Sequence, residues 1–165
     1  MKKIFCLLIL FSCFNNYAQE NTVTTYYLIR HAEKDRTNKT NTNPSLTEIG
    51  LKRAQNWAKV FKNVTFDFIY TTNYKRTIQT AQPTALNNNL EILFYNPREL
   101  YTDDFRKKTM GKTVLIVGHS NTTPQFVNKI LVTKKYSDID DTNNGNLYII
   151  TLLGSSKSDV LLTID

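Results

Sequence analysis

Cysteine is scarce in this sequence. The chain of 165 residues contains two, Cys6 and Cys13, and both fall within its first twenty positions. Once that segment is set aside, a structural disulfide, a cysteine-ligated metal and a cysteine nucleophile are all excluded. A long apolar run is missing too, because the stretch from Ile4 to Phe14 is shorter than the roughly 20 residues that a membrane-spanning helix needs. No internal repeat or low-complexity segment is visible, which excludes repeat arrays and coiled coils.

The N-terminal segment has the layout of a secretory signal. Lys2 and Lys3 precede the apolar run, and polar Asn15 and Asn16 follow it. We therefore predict a signal peptide over residues 1–18, cleavage after Ala18, and export to the periplasm or the cell exterior. The residues before Cys13 also resemble a lipoprotein cleavage box, so lipidation at Cys13, and with it a membrane anchor, is the alternative.

The composition favours one ordinary globular domain over residues 19–165. Hydrophobic residues make up 41% of the chain and charged residues 21%, as in typical soluble domains. The formal charge of +7 suits an anionic ligand, and it suits a membrane surface or plain solubility equally well. Most of the nine Tyr and nine Phe residues fall in strand-like runs, and no nucleic-acid-binding motif is present. Nucleic acid is therefore not expected as a partner.

Short apolar runs alternate with amphipathic ones along the domain. We expect strands at Thr22–Ile29, Phe66–Tyr70, Leu90–Tyr95 and Thr113–Val117, and helices behind Ser45, at Thr77–Ala85, near Tyr101–Met110 and from Thr123 to about Val132. Leu147–Leu153 and Val160–Thr163 predict a closing antiparallel hairpin. The fold class that follows is α/β, with a mostly parallel sheet and helices on both of its faces.

Two helix starts carry local signals. Ser45 and Glu48 fit a capping box, and Thr123 with Pro124 fits an N-cap followed by proline at the first helical position. One face of the helix behind Ser45 is predicted to be apolar, and it comprises Ile49, Ala54, Trp57, Ala58 and Phe61.

Both histidines of the chain directly follow predicted strands. Arg30 and His31 end the first strand, His119 follows the fourth behind Gly118, and Arg76 begins the helix after the second. Ligands of open α/β sheets bind at the carboxyl ends of strands, so these side chains are expected to meet there. Neighbouring guanidinium groups oppose a metal ion but match phosphate oxygens, and they favour neutral, nucleophilic imidazoles. Helix N-termini behind the loops are expected to add free amides.

An acidic segment near the C-terminus offers an alternative metal site. Asp138, Asp140 and Asp141 resemble the start of a calcium-binding loop, but glycine at the sixth position and glutamate at the twelfth are missing. The segment is therefore better interpreted as a solvated loop before the closing hairpin, and no metal site is expected.

Four segments, in order, resemble the histidine phosphatase superfamily, also called the phosphoglycerate mutase-like family. The first is Leu28–Glu33, with the Arg-His pair, and the second is Ser45–Gly50 with Ala54. The third is Tyr70–Ala81, with Arg76, and the fourth is Val114–His119. Ala32 stands where many members have glycine, as in the small protein-phosphohistidine branch. The resemblance implies a phosphoglycerate mutase-like fold of the small single-domain kind.

The same resemblance implies residue roles. His31 would take the phosphoryl group as phosphohistidine, while Arg30, Arg76 and His119 would hold its oxygens. Water would then release phosphate, with no metal and no cofactor. Glu99, with Asp103 and Asp104 as alternatives, would protonate the leaving group, although Glu99 could equally be a surface partner of a nearby arginine.

The sequence therefore predicts an exported phosphomonoesterase that works through a phosphohistidine intermediate. The segments after the second and third predicted strands are too short to cover the site. The expected substrate is therefore a small phosphomonoester or a phosphorylated side chain on a surface. The alternative is a phosphate-binding protein on the same fold that recognises a phosphorylated ligand without turnover.

Overall fold

The computed structural model describes residues 22–164, and the predicted signal segment with Cys6 and Cys13 lies outside them. The elements in chain order are β1 (Val23–Arg30), α1 (Glu48–Val60), β2 (Phe68–Thr71), α2 (Lys75–Asn88), β3 (Ile92–Phe94), α3 (Asp103–Thr109), β4 (Thr113–Gly118), α4 (Thr122–Leu131), β5 (Asn146–Leu153) and β6 (Ser156–Thr163). Each predicted strand and helix is present, with ends shifted by a few residues. None of the helices within residues 22–164 combines the length and the apolar character needed to cross a bilayer.

A single six-stranded sheet runs in the order β3-β2-β4-β1-β5-β6. Strands β3, β2, β4 and β1 are parallel, while β5 pairs antiparallel with β1 and β6 antiparallel with β5. The predicted α/β class with a closing hairpin is confirmed. The order places β1 and β4 side by side at the centre, although they are far apart in the chain.

Each face of the sheet buries its own core. On one face, Trp57 of α1, its C-cap Phe61 and Ala81 of α2 pack on Ile29 and Leu115. On the other face α3 and α4 pack on the sheet, where the core includes Tyr26, Ile116, Phe126 and Ile130. Because side chains alternate along a strand, residues next to each other in β1 and β4 serve opposite cores. The last three residues of β1 and the last five of β4 are buried, so the site lies at a well-packed end of the sheet.

The start of α1 differs from the expected capping box. Thr47, and not Ser45, is the N-cap, and its hydroxyl accepts the Gly50 N–H at 3.1 Å. Ser45 instead accepts the Asp35 N–H through its carbonyl in an extended segment. Ile49 is 65% exposed, so its predicted place on the apolar face was wrong, whereas the other four residues of that face are buried.

The N-cap of α4 also lies two residues earlier than predicted. Asn121 is the N-cap, and its side-chain oxygen accepts the Thr122 N–H at 2.9 Å. Thr123 and Pro124 therefore lie inside the first turn, where proline is still tolerated because it has no intrahelical partner to lose. The Thr123 hydroxyl donates to the Ile29 carbonyl at 3.3 Å, which ties α4 to β1.

Candidate active site

The two histidines meet where β1 and β4 end together. Arg30 is in register with Gly118, and the His31 N–H donates to the Gly118 carbonyl at 2.9 Å. The two imidazole rings consequently lie 5.5 Å apart between centroids, at 69° to one another. Gly118 is required here because a Cβ atom would lie 2.7 Å from Thr123 Oγ1 and 2.8 Å from Tyr95 Oη.

His31 is held in one tautomer. Its Nδ1 lies 2.7 Å from the Ala32 carbonyl, which can only accept, so Nδ1 carries the hydrogen and Nε2 keeps a lone pair. The Ala32 N–H donates to Thr80 Oγ1 of α2 at 2.9 Å, which ties the backbone of Ala32 to α2. Burial lowers the pKa of His31 to about 3, and His119, Arg76 and Arg30 lower it as well, against the opposing effect of the Ala32 hydrogen bond. His31 is thus neutral at physiological pH.

His119 is oriented by a chain of hydroxyls. Thr77 Oγ1 donates to the Thr72 carbonyl at 2.8 Å, so the Thr72 hydroxyl donates to Thr77 Oγ1 and accepts from His119 Nε2 at 2.9 Å. Nδ1 of His119 is left as the acceptor, 3.4 Å from Arg76 Nη2. Burial, followed by Arg76, Lys34 and Arg30, lowers the pKa of His119 to about 4.

Arg76 lines the same site and carries donors that have no partner among the described residues. Its guanidinium carbon lies 4.5 Å from the centre of the Tyr74 ring. Nε and Nη1 are buried, and neither has a hydrogen-bond partner anywhere in residues 22–164. Burial lowers the pKa of Arg76, although a guanidinium stays charged. Buried donors without partners are costly, so their presence at a strand edge indicates an anionic ligand.

Arg30 is held by the loop that precedes β5. Its side chain is 2% exposed, and Nη1 donates to the carbonyls of Asp140 and Asn143 at 2.8 and 3.0 Å. Nη2 pairs with Asp141 Oδ1 at 2.6 Å, whereas the buried Nε has no partner among the described residues. Asp141 also pairs with Arg36 at 2.8 Å, and hydrogen bonds from Arg36 and then Arg30 lower its pKa to about 2. This carboxylate is therefore ionised.

These groups enclose a cavity of about 340 Å³. It is lined by Arg30, His31, Lys34, Tyr74, Arg76, Pro97, His119, Ser120, Asn121, Thr122 and Asp141. The first amides of α4 are already occupied, since Thr122 donates to Asn121 Oδ1 and Thr123 to the His119 carbonyl. The free amides expected at this helix are therefore not available, and the guanidinium groups supply the donors.

The structure brings Arg30, His31, Arg76 and His119 together but leaves Glu99 outside. Glu99 is exposed and lines a separate groove of about 930 Å³, which shares Pro97 with the histidine cavity. The two alternative acids lie on α3, where Asp103 pairs with Arg106 at 3.3 Å and Asp104 is exposed. The role of Glu99 as proton donor stays a prediction.

Two charged residues of the cavity were not singled out from the sequence. Lys34 lies three positions after His31, inside a stretch that is otherwise typical of a polar loop. Asp141 belongs to the segment interpreted as a solvated loop, and the structure corrects that interpretation because Asp141 binds the buried Arg30. The available signal was topological: β5 is antiparallel to β1, so the loop before β5 must arrive where β1 ends.

Comparison with known proteins agrees with this geometry. Residues 26–96 match the family model of the histidine phosphatase superfamily, branch 1, which confirms the resemblance seen in the motifs. No curated protein matches the sequence.

Solved structures with the same fold are similar over almost their whole length. The protein histidine phosphatase SixA, solved with tungstate, has 14% identity and a TM-score of 0.67 over 84% of this chain and 96% of its own. A phosphoglycerate mutase from Bacillus anthracis has 14% identity and a TM-score of 0.62, over 87% and 93%. A phosphoserine phosphatase from Entamoeba histolytica, solved with 3-phosphoglyceric acid, has 20% identity and a TM-score of 0.60, over 82% and 97%. The phosphoglycerate mutase-like fold is confirmed.

Proposed function

We propose that this chain is a phosphohydrolase of the histidine phosphatase type, with His31 as the nucleophile. The observation that carries the proposal is the tautomer of His31: its Nδ1 hydrogen is bound to the Ala32 carbonyl, which leaves the lone pair on Nε2, and the ring lines the same cavity as Arg76. A neutral, oriented imidazole next to an anion-binding group is the arrangement that nucleophilic catalysis on a phosphoryl group requires.

The reaction balances in two steps. Nε2 of His31 attacks phosphorus, a P–N bond forms, and the bond from phosphorus to the leaving group breaks with its electron pair. Water then attacks the phosphohistidine, the P–N bond breaks with its electron pair returning to Nε2, and inorganic phosphate leaves with both protons of the water. Charge on the transferred oxygens would be met by Arg76 and by Arg30 Nε, and each such donor contributes about 10²–10³ in rate.

His119 is suited to a second role in both steps. Its Nδ1 is an acceptor in the free protein, because Nε2–H is bound to Thr72. An incoming phosphoryl dianion favours the protonated imidazole, so binding raises the pKa of His119 from its low value of about 4. The protonated Nδ1 then donates to a phosphoryl oxygen. Since side chains supply the whole positive charge, we propose a reaction that needs no metal ion.

The leaving group determines which substrates fit. Asp141 is the one carboxylate among the described residues that line the cavity, and it is ionised, so it is not a proton donor at neutral pH. Substrates with a good leaving group, such as a phosphorylated histidine side chain or an aryl phosphate, need no strong acid there. Similarity to the protein histidine phosphatase SixA supports the first of these classes. A substrate that extends from the histidine cavity past Pro97 would reach the groove that Glu99 lines.

A second candidate function is recognition of a phosphorylated ligand without turnover. The same absence of a protonated acid from the described lining of the cavity favours it for alkyl phosphates. In that case Arg30, Arg76 and His119 bind the phosphoryl group, but nothing protonates the departing alkoxide.

Hydrolysis of p-nitrophenyl phosphate in the presence of a chelator tests the proposal. The purified protein should turn over p-nitrophenyl phosphate, and His31→Gln should lose this activity. Quenching in alkali should trap a phosphohistidine that is stable in alkali and is lost on acidification. Thermal unfolding with and without phosphate checks that the variant is folded. Binding of phosphate without turnover of any aryl phosphate would establish the second candidate instead.

We also propose that the protein is exported by its N-terminal segment. The charged and apolar pattern of residues 2–14 supports this. N-terminal sequencing of the protein recovered from cell fractions should give a chain that begins at Gln19, whereas a lipid-modified Cys13 would identify an anchored form.

A further inference from the structure

A second cavity lies on the other side of His31. Its volume is about 350 Å³, and it shares His31, Lys34 and Asp141 with the first cavity. Glu33 and Arg36 complete its charged lining. The proposed nucleophile and Lys34 therefore border both spaces.

Among the charged residues that line the second cavity, one cation has no ion-pair partner in residues 22–164. Glu33 is paired with Arg53 at 2.7 Å, and Asp141 is paired with both Arg30 and Arg36. The Lys34 ammonium forms no hydrogen bond and no ion pair with any residue in the range 22–164. Burial, then Arg76 and Arg36, lower the pKa of Lys34, and Asp141 opposes them only in part. A positive charge in this position gains free energy from an added anion.

We propose that Lys34 and the second cavity bind a second acidic group of the substrate while its phosphoryl group lies against His31. The substrate class is then a phosphorylated compound that carries a further carboxylate-like charge a few bonds from phosphorus. The inference rests on the proposed function for the placement of the phosphoryl group. Lys34 is suited to this role because it lines both cavities and is only half-buried, so its ammonium can reach either side.

Direct participation in phosphoryl binding is the competing explanation for Lys34. The two explanations predict different effects of Lys34 on ligands with one anionic group and on ligands with two. A residue that binds the phosphoryl group strengthens every ligand equally, whereas a second subsite strengthens only ligands with a second anion.

Calorimetric binding of two phosphonates separates these cases. Propylphosphonate and 3-phosphonopropionate have similar lengths and differ in a terminal methyl against a carboxylate, and neither can be hydrolysed at its C–P bond. The wild type should bind 3-phosphonopropionate about tenfold more tightly. Lys34→Met should abolish that preference and change propylphosphonate affinity by less than about threefold.

Lys39→Met is the matched control, because Lys39 is an exposed lysine of the same loop and lines neither cavity. It should keep the full preference, and Lys34→Arg should keep part of it. Equal affinities of the two phosphonates for the wild type, or an equal loss for both in Lys34→Met, would overturn the subsite. Because binding needs no turnover, an inactive protein that still shows the preference refutes only the proposed hydrolysis.

Discussion

The two imidazoles of the site are fixed by acceptors of different kinds. His31 is bound to a peptide carbonyl that no side-chain substitution removes, and His119 is bound to the Thr72 hydroxyl. Tautomers in the two rings are therefore opposite: the hydrogen is on Nδ1 in His31 and on Nε2 in His119. The second ring depends on one side chain, which makes Thr72 a positioning residue that can be tested separately from the catalytic groups.

Thr72→Val keeps the shape of the side chain but removes the acceptor of the His119 Nε2–H. We expect kcat/KM for p-nitrophenyl phosphate to fall about tenfold to a hundredfold, or about 1.4–2.7 kcal/mol, because Nδ1 is no longer fixed toward Arg76. The ¹⁵N chemical shifts of the ring should show the change of tautomer. Thr72→Ser retains the hydroxyl and is the control. Equal losses in the two variants would show that Thr72 acts by packing alone.

At the scale of elements, the periodic pattern predicts which segments are helices and strands but not where each helix begins. Lys34 and Leu46 form an isolated β-bridge, and the Leu46 N–H donates to the Gln79 side chain. These contacts hold the backbone extended as far as Thr47, so a serine that fits a cap locally is not one. The hydrogen bonds responsible come from segments distant in sequence, and no local pattern contains them.

The candidate site divides in the same way. Arg30, His31, Arg76 and His119 follow from the rule that parallel strands end at one edge, and the structure places them there. Asp141 enters the site because β5 runs antiparallel to β1, so the loop before β5 lies at the edge of the sheet where β1 ends. The sequence of that loop contains no sign of this pairing. Lys34 could have been found, since it lies in the loop of His31, but loop lysines are usually solvated.

The close contact between α1 and the loop after His31 predicts that a larger residue at Gly50 destabilises the protein. A Cβ atom on Gly50 would lie 2.2 Å from the Glu33 carbonyl oxygen, a backbone atom that also accepts the Thr47 N–H. Gly50→Ala should therefore push α1 away from the loop and lower the free energy of unfolding by about 2 kcal/mol or more. Chemical denaturation measures the change, and phosphate affinity should fall with it.

Ile49→Ala is the control for this helix. The two residues are neighbours in the first turn, but Ile49 is largely exposed, so its truncation should change stability by less than about 0.5 kcal/mol. If Gly50→Ala were as mild as Ile49→Ala, the close approach would be without energetic consequence.

At the scale of the whole molecule, the two histidines couple stability to pH. Their pKa values in the folded protein, about 3 and about 4, are below the value of about 6.5 expected in the unfolded chain. The unfolded chain thus binds more protons in this range. Stability should be complete above about pH 6.5 and should fall as the pH decreases toward 4, by on the order of 2 kcal/mol for each histidine.

Thermal unfolding of the wild type between pH 7 and pH 4.5 measures this dependence. The double variant His31→Gln/His119→Gln removes both titrating groups, so its melting temperature should change less over the same range. Inorganic phosphate should also reduce the dependence in the wild type, because an anion favours the protonated rings. Parallel curves for the two proteins without phosphate would contradict the assignment of the effect to the histidines.

The pairing of β1 with β4 has a consequence for how the chain folds. The candidate site is assembled only when Arg30 and Gly118 are in register, and that register joins strands that are far apart in the sequence. Contacts between residues so far apart in sequence form late in folding, because the entropy lost on closing the intervening chain must be compensated first. A bound anion therefore stabilises the native state but has nothing to bind before the central strands have paired. The anion should therefore slow unfolding and prolong the lifetime of the folded protein, without speeding its formation.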